Sequence, residues 1–490
     1  MIPAALGIDI GTSSSKGVIT TLDGRILASA SRAHKVQRPH QGHVEMSPDI
    51  WWEEFCSLSR ELLDKAPDSA VRAVGVSGMG PCVALADASG RPVRPAMLYG
   101  VDTRATDEIA EWTDRLGGDS TILERCGSRL TTQAAGPKFA WVATHEPQIY
   151  ERAQRFFMPA SYLAWNLTGQ YALDHQSASQ CTPMYDIEGR HWLTEWAEAI
   201  APGIELPRLG WAGEIAGVVH SEASVATGLP VGTPVTIGTI DAWSEALSVD
   251  AHNPGDLMLM YGTTLFFVNT VTTPVRSPSL WGTIGALPDT RNVAGGMSTS
   301  GAVTSWLRDL YGNPAFDLLV GEADAAGVGA HGLLMLPYFA GERTPILDPE
   351  ARGVVAGLTL SHTRGDLYRA ALEATGFGVR HNIEAIEAAG GNINRIVAVG
   401  GGARDDIWTQ IVCDITGRPQ VIPRETMGAS YGVAWLAACL EAPITAAEWN
   451  PSDRVLQPRE ANVGIYDDLY GLYRDLYPAS RDVVHALART

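Results

Sequence analysis

Twice along this chain an apolar strand runs into a glycine and hydroxyl turn and out into a second apolar strand. The first copy is LGIDIGTSSSKGVI at residues 6–19, and the second is DLMLMYGTTLFFVNT at residues 256–270. A repeated strand–turn–strand unit points to two related α/β halves. The first copy also places Asp9 inside its apolar run, followed by Gly11, Thr12, Ser13, Ser14, Ser15 and Lys16. A buried carboxylate is costly unless something pairs with it, so either the turn satisfies Asp9 or a ligand does.

Around that first copy, AALGIDI, KGVITTL and RILASASRA read as three consecutive strands, with Asp23-Gly24 as a hairpin signal. SPDIWWEEFCSLSRELLDKA then reads as a helix. Ser47 suits its cap, Pro48 its first position, and Trp51, Phe55, Leu58 and Leu62 recur at helical spacing. VRAVGVSGM follows as an apolar strand and CVALADASGRPV as a further hairpin. Three strands, a helix and a strand make a ribonuclease-H-like opening.

Residues 105–225 read as mainly helical with irregular loops, LTGQYALDHQSASQ being a polar loop among them. LPVGTPVTIGTIDAWSEALSV returns to a buried strand that runs into a helix at Asp241. RIVAVGGGARDDIWTQIVCDITGRPQVIP reads as strand, glycine-rich turn, helix, Gly417 as stop, and strand. GASYGVAWLAACL is a helix of small residues suited to close packing. No low-complexity linker is visible, and the halves divide near 245–255, giving expected domains 1–248 and 249–490.

At 490 residues and about 100–200 residues per domain, two to four domains are expected. The formal net charge of −19 argues against a nucleic-acid partner, which would demand a basic face. An anionic ligand must then be held by backbone N–H groups, a metal or a few placed cations. The six cysteines include no C-x-x-C pair, so free thiols in a reducing compartment are expected. No signal-peptide pattern and no apolar run of about 18 residues is present. The expectation is a cytoplasmic protein without membrane association, with a homodimer left open.

Several known nucleotide motifs are excluded. GVGAHG, at residues 327–332, precedes an apolar strand instead of following one and opening a helix, so it is no dinucleotide fingerprint. There is no G-x-x-x-x-G-K-[ST] loop and no H-E-x-x-H. The remaining candidates each carry two readings. The Asp9 turn is either an ordinary surface hairpin or a phosphate cradle in which N–H groups, hydroxyls and Lys16 surround oxygen while Asp9 holds hydrated magnesium. Asp241 is either a helix cap or a base that receives a hydroxyl proton in phosphoryl transfer. Gly400-Gly401-Gly402 is either a plain strand-to-helix turn or bare backbone on which a nucleotide rests.

Taken together, these segments resemble the FGGY carbohydrate kinases of the actin-like ATPase superfamily. GIDIGTSSSK looks like the family's first phosphate motif, YGTT like the second, and VAVGGGARDDIWTQIVCDITGRPQ like its adenosine motif. GVVAGLTLSHTRGDLYRAALE, at 353–373, is similar to the family's C-terminal signature. The resemblance spans nearly the whole chain in the right order. It implies two ribonuclease-H-like (actin-like ATPase) α/β domains with a central cleft, a sugar-binding first domain and a nucleotide-binding second one, with ATP and Mg2+ as cofactors.

By position, the resemblance makes Asp241 the catalytic base and Asp9 the acid that organises magnesium. It sets Gly11, Thr12, Ser13, Lys16, Gly262 and Thr263 against phosphate, and Gly401, Gly402 and Asp405 near the adenosine. PAMLYGVDTRA resembles the family's PAILWNDxRT with one residue inserted, which places Asp102 and Arg104 near the sugar, with Met79 and Trp243 beside it. Xylulokinases carry Met-x-x-Gln-x-His-Gly where this chain reads VSGMGPCV, and often Asp-Asn where it has Asp241-Ala242. The Arg-Glu pair of glycerol kinases is not found. The implied activity is phosphorylation of a small sugar at a primary hydroxyl, a ketopentose such as xylulose first, ribulose or a four- or five-carbon polyol next. A non-catalytic ATP-binding member of the superfamily and a sugar sensor are the alternatives.

Overall fold

The protein is described by a computed structural model over residues 1–404 and 406–489. The chain divides into two compact units: the first holds Met1–His252, Thr272–Asn292 and Met427–Pro451, and the second holds the other described residues.

In the first unit the strands Ile2–Ile10, Ser14–Thr21 and Ile26–Ala33 form an antiparallel meander. The three consecutive strands read from the opening residues, with their Asp23-Gly24 turn, match this. Ile2–Ile10 also pairs in parallel with Ser69–Gly78. A parallel neighbour demands a crossover, and the helix Pro48–Lys65 supplies it. Ser47 caps that helix by accepting the Asp49 amide, Pro48 sits at its start, and Trp51, Phe55, Leu58 and Leu62 are buried. Beyond Ser69–Gly78 the sheet continues through Pro234–Thr236 to Ile215–Val218, and Thr239–Ile240 pairs with Ser69–Gly78 as well.

The small-residue helix Ala429–Ala438 packs directly on this sheet. A Cβ placed on Gly75 would lie 1.9 Å from the Val433 carbonyl oxygen, and one on Gly7 would lie 2.0 Å from that of Ser430. Only glycine permits so close an approach of helix to strand. A single cut near residue 250 therefore does not describe the packing, because Met427–Pro451 belongs with the first unit.

The second unit repeats the plan. Asp256–Tyr261 pairs antiparallel with Leu265–Val271 and parallel with Arg395–Val399. Gln420–Pro423 adds in parallel and Ser452–Leu456 antiparallel. Each unit thus passes from an antiparallel hairpin to a parallel neighbour across its first strand. No helix among the described residues is long and apolar enough to cross a membrane.

The segment 82–93 closes the expected hairpin: Asp87 N–H donates to Arg91 O and Val93 N–H to Leu85 O, both at 2.9 Å, and Ala86 bridges Pro92, while Ala84–Ala86 also pairs with Arg155–Phe157 on its other side. One local expectation is corrected. LTGQYALDHQSASQ is not a loop throughout. It forms the strand Ala172–Asp174 and the helix His175–Ser179, with Gln176 fully buried. Asp174 accepts the Ser177 amide and the Thr239 hydroxyl, the latter at 2.7 Å.

Candidate active site

Strand register brings two acids to one end of the first unit's sheet. Asp9 is level with Ser77 on one side of Ser69–Gly78, and Thr239 is level with Ser77 on the other. Asp241 follows two residues after Thr239, just past the strand end. Strands two apart in a sheet are about 10 Å from each other, and carboxyl ends of parallel strands are where open α/β sheets bind ligands.

Asp9 is buried, and its Oδ1 has no hydrogen-bond partner among the described residues. Burial and the neighbouring Asp241 charge hold its carboxyl well above the usual aspartate range. Burial raises Asp241 too. The helix Asp241–Ser248 starts after Ile240, so Asp241 is its first residue and not its cap. Its Oδ1 accepts the Ala242 amide at 2.7 Å, and its other oxygen makes no hydrogen bond among the described residues. Glu245, one turn on, is pushed up to about 7 by burial, with Asp241 adding to the effect and Lys16 opposing it.

The turn after Asp9 has the expected groups in an ordered arrangement. Lys16 is exposed and stands opposite Asp9 across the strand pair. Gly11 N–H donates to Ser14 O at 3.2 Å, and Ser13 O accepts the His34 amide at 3.0 Å. The amides of Thr12 and Ser13 donate to no group among the described residues, leaving two successive N–H groups for an anion. The Thr12 hydroxyl lies 2.9 Å from that of Tyr99, a contact outside the candidates read from the sequence.

The four expected sugar contacts do not reach an open surface. Asp102 accepts from Val44 N–H at 2.7 Å and from the Arg104 guanidinium at 2.7 Å. Arg104 also pairs with Glu45 at 2.7 Å, and the Asp102 and Arg104 side chains are 0% and 1% exposed. Met79 is buried with its amide on the Ile10 carbonyl, and Trp243 is buried with its indole N–H on Asn292. The half-buried groups nearby are Tyr99 and Gln133, the latter accepting from Gly100 N–H at 3.0 Å.

In the second unit, Gly262, Thr263, Gly401 and Gly402 line one pocket of about 1220 Å³. Asp405 lies outside the described residues. The Gly262 and Thr263 carbonyls accept amides of Gly301 and Ala302 at 2.9 and 3.0 Å, so the helix Gly301–Leu310 starts on that turn. Gly400 needs to be glycine: its φ is +91°, and a Cβ would meet the Tyr261 carbonyl at 2.6 Å. Tyr368, Trp408 and Phe316 add aromatic walls, Phe316 being 46% exposed. The helix Phe316–Ala326 has no local signal in the sequence that marks it as a pocket wall.

Comparison with known proteins yields consistent matches. The N-terminal domain of the FGGY family of carbohydrate kinases matches residues 4–248, and the C-terminal domain of that family matches 257–440. Xylulose kinase of Escherichia coli (strain K12) is 30% identical over 444 residues, covering 89% of this chain and 90% of its own length. Gluconokinase of Bacillus subtilis (strain 168) is 28% identical over 454 residues, covering 89% and 86%. The crystal structure of xylulose kinase from Rhodospirillum rubrum has a TM-score of 0.91 to this chain at 30% identity, over 98% of this chain and all of that one.

Proposed function

The chain belongs to the FGGY family of carbohydrate kinases, and from that we propose that it transfers the γ-phosphoryl group of ATP to a primary hydroxyl of a ketopentose such as xylulose. The observation that carries the chemistry is the pair Asp9 and Asp241 at the ends of strands that flank Ser69–Gly78 on either side, beside a turn with unspent amides. The xylulose kinases among its relatives support the sugar.

Asp241 accepts the hydroxyl proton as that oxygen bonds to phosphorus. The bond between the γ-phosphorus and its bridging oxygen breaks, and ADP leaves. Burial, which raises Asp241, makes it the better proton acceptor. Thr12, Ser13 and Lys16 surround the transferring group with donors already in place. The second unit is the nucleotide-binding one, through Gly262, Thr263, Gly401 and Gly402. A cytoplasmic setting fits ATP as donor.

Asp9 fits a hydrated magnesium ion. Its Oδ1 is buried and unpartnered, and no group of three or more His, Cys, Asp or Glu among the described residues forms a closed metal cage. Magnesium needs none, since it takes one or two carboxylates and completes its shell with water and phosphate. When bound, it neutralises phosphate charge.

A second substrate reading, a sugar acid, is favoured by the gluconokinase relative. An ADP-coupled assay over xylulose, ribulose, gluconate, alditols and glycerol decides. Xylulose should give the highest kcat/KM. Gluconate as winner would move the substrate and keep the mechanism. ATP binding without turnover of any substrate would favour a non-catalytic ATP-binding protein or a sensor.

A further inference from the structure

His34 follows the strand Ile26–Ala33 and grips the turn after Asp9 at two points. Its backbone N–H donates to Ser13 O at 3.0 Å. Its ring Nε2 lies 2.9 Å from the Gly11 carbonyl oxygen. The other ring nitrogen, Nδ1, faces the Glu54 carboxylate of the helix Pro48–Lys65, at 2.9 and 3.2 Å from its two oxygens. Both side chains are withdrawn from solvent, His34 at 6% exposure and Glu54 at 15%.

A carbonyl oxygen only accepts, so Nε2 donates to Gly11 O. Nδ1 is then turned to the Glu54 carboxyl group, which holds the ring from its other side.

We infer that His34 is a positioning residue for phosphoryl transfer, a ring held by Glu54 that fixes the Gly11 carbonyl from behind the turn. With Gly11 N–H committed to Ser14 O and its carbonyl to His34, the peptide units of Thr12 and Ser13 have one orientation. Their free amides then face the phosphoryl oxygens without reorganisation. The inference rests on the reading of residues 11–13 as the phosphate turn.

The test uses the full chain with ATP, magnesium and the best sugar of the substrate panel. His34→Leu should lower kcat/KM for ATP roughly ten- to a hundredfold, while the sugar KM of the folded protein stays near the parent's. His34→Gln, which can still donate to Gly11, should recover part of the loss. Glu54→Gln should shift ATP kinetics in the same direction as His34→Leu. Histidine-selective 15N spectra of the parent should show one ring with Nε2 protonated and hydrogen-bonded, a signal absent in His34→Leu. A His34 ring without a proton on Nε2 would overturn the inference, as would ATP and sugar constants moving together. A parent inactive on every sugar would instead defeat the kinase reading, and the spectra would still settle the state of His34.

Discussion

The hydroxyls of Tyr99 and Thr12 lie 2.9 Å apart, which ties residues 95–104 to the turn after Asp9, the proposed phosphate turn, within one unit. Either hydroxyl can donate, and the bond holds the Thr12 Oγ1 in one place. Tyr99→Phe should lower kcat roughly two- to tenfold, the worth of one neutral hydrogen bond. Adding Thr12→Ala should cost less than the sum of the two single changes, because the residues act through each other. Fully additive losses in steady-state kinetics would show that the two hydroxyls work independently.

Asp102 and Arg104 should behave as a structural pair. Asp102→Asn leaves a buried guanidinium short of a counter-charge, which costs about 3–5 kcal/mol. Denaturant unfolding should register that loss, with the sugar KM of the folded protein little changed. Parent-like stability with a raised sugar KM would put Asp102 back in the sugar site.

The parts of the fold written in short-range pattern are the parts legible in the sequence. The two strand–turn–strand units, the Ser47-capped helix and the strand leading to Asp241 each depend on neighbours in the chain. Burial of polar groups depends on distant partners, and there the reading fails. Gln176 sits in a polar stretch yet is fully buried. Arg104 looks like a ligand for hydroxyls until Glu45 is seen beside it. His34 has no local signature, because Gly11 and Glu54 reach it from different elements. The helix Ala429–Ala438 announces close packing through its small residues, but not that its partner is the opening sheet.

The packing of that helix gives a direct stability test. Gly75→Ala would drive a methyl group to 1.9 Å from the Val433 carbonyl. Backbone on both sides leaves little room to yield, so the change should destabilise by about 3 kcal/mol or more. A melting temperature equal to the parent's would mean that the helix does not sit there.

Glu245 gives a pH signature. Burial pushes its carboxyl up to about 7, against an ordinary value of 4.5. The folded state therefore holds this proton more tightly than the unfolded chain, so its stabilising contribution is complete below pH 4.5 and fades as pH rises through about 7. Glu245→Gln cannot titrate. Its melting temperature relative to the parent's should rise between acidic and mildly alkaline pH. A difference that stays flat with pH would show that Glu245 is not held protonated in the fold.

The most direct measurement compares Asp241→Asn with the parent in single turnover, with ATP binding followed separately by calorimetry. Loss of a positioned base lowers rates by about 10²–10⁴-fold. The phosphoryl-transfer rate should fall by that factor while the affinity for ATP and magnesium is retained. A rate within about threefold of the parent, well short of a lost base, would contradict the assignment of Asp241 as the group that takes the hydroxyl proton.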